Sequence, residues 1–81
     1  MSEVSARPDT SQVLAEFWTE LLDLDSVGPE DHLLELGGNS LVATMVANRI
    51  ELTWGFRPTI ADLLTNSFSQ IAAICEQNRT G

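Results

Sequence analysis

Apolar positions along the chain recur with helical spacing. Leu14, Phe17, Trp18 and Leu21 stand at i, i+3, i+4 and i+7, which gathers them on one face of a helix, while Glu16, Glu20 and Asp23 fall on the other. That helix is predicted to begin near residues 9 to 11. Asp9 or Ser11 is placed to cap it, and Gln12 lies three after Asp9 in capping-box spacing. Like charges on the polar face each cost a few tenths of a kcal/mol, roughly, so packing of the aromatic face must outweigh them.

A second helix is predicted from about residue 40 to 53, ending before Gly55. Ala43, Val46, Ala47, Ile50 and Trp54 form a complete core stripe on its wheel. Leu41, Met45 and Leu52 fall nearly opposite, beside Asn48, with Val42 on a flank. A helix apolar on both sides is either central or exposes one side for docking. A chain of 81 residues has little with which to surround a helix, so Leu41 and Met45 are predicted to face a partner. Leu52 sits where the helix end frays.

Between these helices runs a connection from about residue 24 to 39, punctuated by Gly28 and Pro29. Val27, Leu33, Leu34 and Leu36 are expected to pin it across the helices. Loops beyond about 12–15 residues are uncommon in small domains and usually functional. This one ends in Gly37-Gly38-Asn39, a tight turn where positive φ is cheap. Two short helices follow: Thr59 with Asp62, and Ser67 with Gln70, both have capping-box spacing. Phe68, Ile71, Ala72 and Cys75 make the inward face of the last one. No strand-like alternation and no internal repeat is visible. The expected fold class is all-α: four helices, the third short, with a long first loop. Residues 1–8 read as a flexible leader and 79–81 as a frayed tail.

Composition fits one small globular unit: 43% hydrophobic and 20% charged over 81 residues. No apolar run approaches the ~20 residues needed to span a bilayer, and no signal-peptide pattern opens the chain. One cysteine, Cys75, excludes an internal disulfide and fits a reducing cytoplasm. It reads as a small apolar filler. With His32 it makes up the only soft ligands, too few for a zinc cluster. Four arginines, no lysine and twelve acids give a net charge of −8. Such a chain repels nucleic acid and anionic membranes, so neither is an expected partner. Between Arg7 and Arg49 there is no basic residue. That acidic stretch is either a solvated face or an attraction for basic partner proteins, and both can hold.

A self-contained enzyme is not expected. Residues 38–42, Gly-Asn-Ser-Leu-Val, begin like a nucleophile elbow but lack its closing Gly and a preceding strand. The single histidine, His32, lies in a separate loop and reads as a loop-packing or surface residue. No phosphate cradle of P-loop spacing exists, and so short a chain is hard-pressed to enclose a pocket of about 300–1,000 Å³. A modified serine suits the pattern better. Ser40 follows two glycines, which remove side-chain bulk and let another protein's active site approach its hydroxyl. A phosphate there would meet the free N–H groups and dipole of a helix N-terminus. The plain alternative is that Ser40 is only an N-cap.

Residues 36–41, Leu-Gly-Gly-Asn-Ser-Leu, resemble the L-G-G-x-S-L signature of thiolation domains of nonribosomal peptide synthesis, the peptidyl carrier proteins within the acyl carrier protein family. The likeness continues through Val42-Ala43-Thr44, Arg49-Ile50, Gly55-Phe56 and Asp62-Leu63, and covers roughly residues 10–77. The resemblance implies an acyl-carrier-like four-helix bundle, with residues 9–78 as the carrier domain. It implies that Ser40 receives 4′-phosphopantetheine from coenzyme A, through a phosphopantetheinyl transferase and magnesium. The arm's thiol then holds an amino acid or acyl group as a thioester. Cargo is presented to partners: an adenylation enzyme or other acyl ligase, then condensation, tailoring or thioesterase enzymes. Gly37, Gly38, Asn39, Leu41, Val42, Met45, Arg49 and Leu52 match positions expected to serve partner recognition. A cytoplasmic monomer in natural-product (antibiotic) biosynthesis is the corresponding expectation.

Departures from the family sharpen this. The residue before the serine is often His or Asp, and here it is Asn39. Carriers of fatty acid synthesis usually read D-S-L-D and have an acidic second helix. Here that helix has only Glu51, set against Arg49, plus Leu41 and Met45. The peptidyl type, docking through apolar contact more than charge, is therefore expected, with a polyketide or fatty acyl carrier and an unmodified helical adaptor as alternatives. Met1 and the short tail after the last helix suggest a free-standing carrier, although an excised domain would look the same.

Overall fold

The computed structural model describes residues 10–78. Four helices are found: α1 Thr10–Leu22, α2 Ser40–Trp54, α3 Ile60–Thr65 and α4 Phe68–Asn78. The sequence-predicted leader and tail, and the predicted cap Asp9, lie outside the described residues. Ser11 is the second residue of α1, not its cap. No strand occurs among the described residues; one isolated antiparallel bridge joins His32 to Ser67.

The helices close on a single core. Leu14, Trp18, Ala43, Val46, Ala47, Ile50, Leu63 and Cys75 have no exposed surface. The predicted α2 stripe is buried throughout, including Trp54. On α1 the expected face divides: Leu14 and Trp18 are fully enclosed, while Phe17 and Leu21 are half-buried at its margin. Trp18 meets Phe68 edge-on, with ring centroids 5.1 Å apart. Its indole N–H has no hydrogen-bond partner among the described residues, so Trp18 stabilises by apolar burial, worth roughly 1.5–3 kcal/mol for a large side chain.

Four of the helix ends have a local cause in view. The α1 end is a left-handed stop: Asp23 has φ 58° and the Leu24 N–H donates to Thr19 O over 2.9 Å. Gly55 ends α2 with φ 85°, its N–H on Glu51 O. Thr59 caps α3 by accepting from the Asp62 N–H. At α4 the box is reciprocal: Ser67 N–H donates to Gln70 Oε1 at 2.8 Å, and Gln70 N–H to Ser67 Oγ at 3.4 Å.

Two arginines brace the bundle. Arg49 on α2 reaches Glu20 on α1 at 2.6 Å and lies 5.8 Å from the Phe17 ring centroid. Arg57 ties the α2–α3 loop back to Glu51 and Asn48. Both pairs are solvent-exposed, so each contributes at most ~1 kcal/mol.

Cys75 fills the core as expected, and burial pushes its thiol from 9.0 up to about 12. Native protein should therefore react slowly with a maleimide at pH 8, and quickly once unfolded. The linkage is equally definite. Below pH 9.0 the thiol is neutral in both states; between 9.0 and about 12 only the unfolded chain ionises, so this thiol's contribution to stability falls as pH rises through that window. Denaturant midpoints at pH 8 and 10.5, compared with those of Cys75→Ala, check the sign.

Candidate functional site around Ser40

The loop from α1 to α2 places Ser40. Residues 28–31 form a tight turn in which Gly28 N–H donates to Asp31 Oδ2 at 2.8 Å and Asp31 N–H to Gly28 O at 3.2 Å. One helical turn follows, with Glu35 and Leu36 N–H on His32 O. Leu33 is its anchor, fully buried in the core, with Val27 and Leu36 partly buried beside it. Leu34 departs from expectation: 56% exposed, it points away from the helices it was predicted to pin. Leu33 takes the inner place, and Leu34, the next residue round the turn, is left on the solvent side.

The two glycines have different causes. Gly37 has φ 94°, and a side chain there would meet nothing within 4 Å. Gly38 has ordinary φ, but a Cβ on it would stand 2.7 Å from Leu33 Cγ and 2.8 Å from Leu33 O. Gly38 N–H also donates to Leu33 O at 2.8 Å. Both glycines are predicted to give a partner clearance; at Gly37 a Cβ would enter open space. Gly38 is small because the loop folds onto its own anchor.

Asn39, not Ser40, caps α2. Its backbone is extended (φ −152°, ψ −171°), its Oδ1 accepts from Val42 N–H at 3.0 Å, and its carbonyl accepts from Ala43 N–H at 2.8 Å. Ser40 is the first helical residue and is exposed. Its backbone carbonyl accepts from the Thr44 hydroxyl, but no hydrogen bond among the described residues engages its own hydroxyl. Relieved of the capping role, that oxygen faces solvent at the positive end of a 15-residue helix.

An apolar face runs from it along α2. Leu41 is 68% exposed and Leu52 86%, while Met45 between them is partly buried, less open than a docking residue was expected to be. Val42 turns the other way and packs against the core. Arg49, also predicted for recognition, has its guanidinium engaged with α1 through Glu20 and Phe17. His32 is half-buried with Nδ1 3.7 Å from Glu35 Oε1. No metal-ligating cluster occurs among the described residues. No described helix is long and apolar enough to cross a membrane.

Residues 12–76 match the family model described as phosphopantetheine attachment site. The chain belongs to that family. It is similar to part of a linear gramicidin synthase from Brevibacillus parabrevis, 38% identical over 69 residues, and to part of bacitracin synthase 2 of Bacillus licheniformis, 34% over 62. These regions cover 74% and 76% of this chain but only 1% and 2% of the synthases. Among solved structures, a type II acyl carrier protein from Streptomyces verticillus involved in bleomycin biosynthesis aligns with TM-score 0.75 and 32% identity, over 84% of this chain and 83% of that one. A complex of the phosphopantetheine transferase Sfp with coenzyme A and a peptidyl carrier protein aligns with TM-score 0.81, over 93% of this chain and 99% of that one, at 21% identity, a likeness of fold. This phosphopantetheine attachment domain is a carrier whose cofactor is covalent 4′-phosphopantetheine. The residues present fit it: an exposed, unengaged serine hydroxyl at a helix N-terminus, beside the open space over Gly37.

Proposed function

We propose that Ser40 is the attachment point and that the chain is a peptidyl-type carrier of nonribosomal peptide synthesis. The observation that carries this is the division of labour between neighbours: Asn39 caps the helix, leaving the Ser40 hydroxyl exposed and without a partner among the described residues. In that transfer the Ser40 oxygen would form a phosphoester bond to the pantetheine-bearing phosphorus as the phosphoanhydride of coenzyme A breaks, with adenosine 3′,5′-bisphosphate leaving and the serine proton passing to a base of the transferase or to water. When bound, the arm supplies a terminal thiol that holds an amino acid or acyl cargo as a thioester. The chain's own residues then present that cargo. Leu41 and Met45, with Leu52 further along, offer a neutral apolar strip to a phosphopantetheinyl transferase, an adenylation enzyme or other acyl ligase, and condensation, tailoring or thioesterase enzymes in turn. Apolar docking over a small area gives contacts weak enough to release. Chemistry resides in those partners, so the carrier is not itself an enzyme, and its place is the cytoplasm.

Incubation with a promiscuous transferase and coenzyme A should add the mass of one phosphopantetheine, mapped to the peptide containing Ser40. An unchanged mass with an active transferase would instead favour an adaptor. Met45→Glu should retain helix content yet weaken thioester loading by the cognate ligase roughly tenfold or more, since it sets a desolvated charge in an apolar contact. Unaffected loading would remove Met45 from the docking strip. Labelled amino acids against labelled acyl-coenzyme A separate peptidyl from polyketide or fatty acyl use.

A further inference from the structure

The N-terminus of α4 spends its first amides on the serine loop. Phe68 N–H donates to Asp31 O at 2.7 Å and Ser69 N–H to Pro29 O at 3.0 Å, and the bridge between His32 and Ser67 extends the seam. The next two amides, Gln70 and Ile71, are satisfied by Ser67. Both loop carbonyls belong to the 28–31 turn, which the Asp31 carboxylate closes through Gly28 N–H. From that turn the hydrogen bonds continue: His32 O to Leu36 N–H, Leu33 O to Gly38 N–H, then the Asn39 cap on Val42 N–H. A continuous bonded path thus joins the first turn of α4 to the first turn of α2.

We infer that Asp31 is a positioning residue for arm transfer: by closing the turn that α4 clamps, it fixes where the loop delivers Ser40. This rests on Ser40 being the attachment point. Asp31 lies outside the Leu41–Met45 strip, so its effect belongs to placement of the hydroxyl rather than to docking. Asp31→Ala deletes the acceptor and the charge. Asp31→Asn deletes the charge alone, because its amide oxygen still accepts from Gly28 N–H.

The test is steady-state transfer of phosphopantetheine to the full chain, read by intact mass, with amide exchange measured alongside. Asp31→Ala should lower kcat roughly tenfold, less than the hundredfold that a 1 Å misplacement can cost, with little change in the KM for carrier. Amides of residues 36–42 should exchange faster, while those of the α1 core remain protected. Asp31→Asn should restore kcat to within about twofold of wild type. A variant that is only less stable behaves otherwise: its folded fraction falls, which raises apparent KM at unchanged kcat, and that result overturns the inference. So does an Asn variant as slow as the Ala variant, which would assign the effect to charge. A wild-type chain modified at another residue, or not at all, refutes the Ser40 reading. Exchange at residues 36–42 then judges the clamp separately, and unchanged exchange in Asp31→Ala refutes it.

Discussion

Ser40→Ala is expected to abolish phosphopantetheine transfer while leaving the fold as stable as before, and Asn39→Ala to do the reverse. The two effects separate because the structure assigns the helix cap and the free hydroxyl to adjacent residues. The Ser40 side chain makes no hydrogen bond among the described residues and is exposed, so its loss removes nothing that holds α2. Alanine is also a better helix former at a first-turn position. Thermal midpoints of wild type and Ser40→Ala should therefore agree within a degree or two, roughly, the range expected of a neutral surface change. Asn39→Ala removes the acceptor of the Val42 amide and should cost about 1 kcal/mol, yet its chain should still gain the arm. Were Ser40 the cap instead, Ser40→Ala would lose stability and Asn39→Ala would not. Intact mass and a melting curve on the two variants decide the matter, and residual modification of Ser40→Ala would move the attachment point elsewhere.

Legibility in the sequence followed the range of the interactions. The α2 core stripe, the Gly55 stop and the box at Ser67 and Gln70 were readable because each is set by spacings of a few residues along one element. The signature around Ser40 was readable for the same reason. What escaped was register and long-range pairing. Leu33 and Leu34 are chemically identical neighbours in a loop with no period, and only the fold shows that the first enters the core while the second is left outside. Arg49 meets Glu20 across 29 positions, and the α4 amides reach back to residues 29 and 31, distances over which one sequence holds no signal. Asn39 as cap was within reach, since its preference matches that of serine at such positions. The two residues compete, and only backbone geometry distinguishes them.

Gly38→Ala is the substitution expected to damage the structure most for its size. A methyl at this position must enter space held by Leu33 Cγ at 2.7 Å and by Leu33 O at 2.8 Å. The first neighbour is a side chain, but one fully buried, so moving it disturbs the core. The second is backbone and accepts the Gly38 N–H itself, so relief stretches the bond that closes the loop. Overpacking of this kind costs typically about 1–3 kcal/mol. Gly37→Ala is the control, because its Cβ enters open space and the cost there is only that of holding φ 94° with a side chain, about 1–2 kcal/mol. The loop consequences should differ more than the energies. In Gly37→Ala the Leu33 anchor remains seated, so α2 begins where it did and Ser40 is still modified. In Gly38→Ala the loop must lift from Leu33, and transfer to Ser40 should slow even at temperatures where the helices persist. Denaturant titration with transfer kinetics on both variants tests this, and a Gly38→Ala chain modified as fast as Gly37→Ala would show that Leu33 can yield without moving the serine.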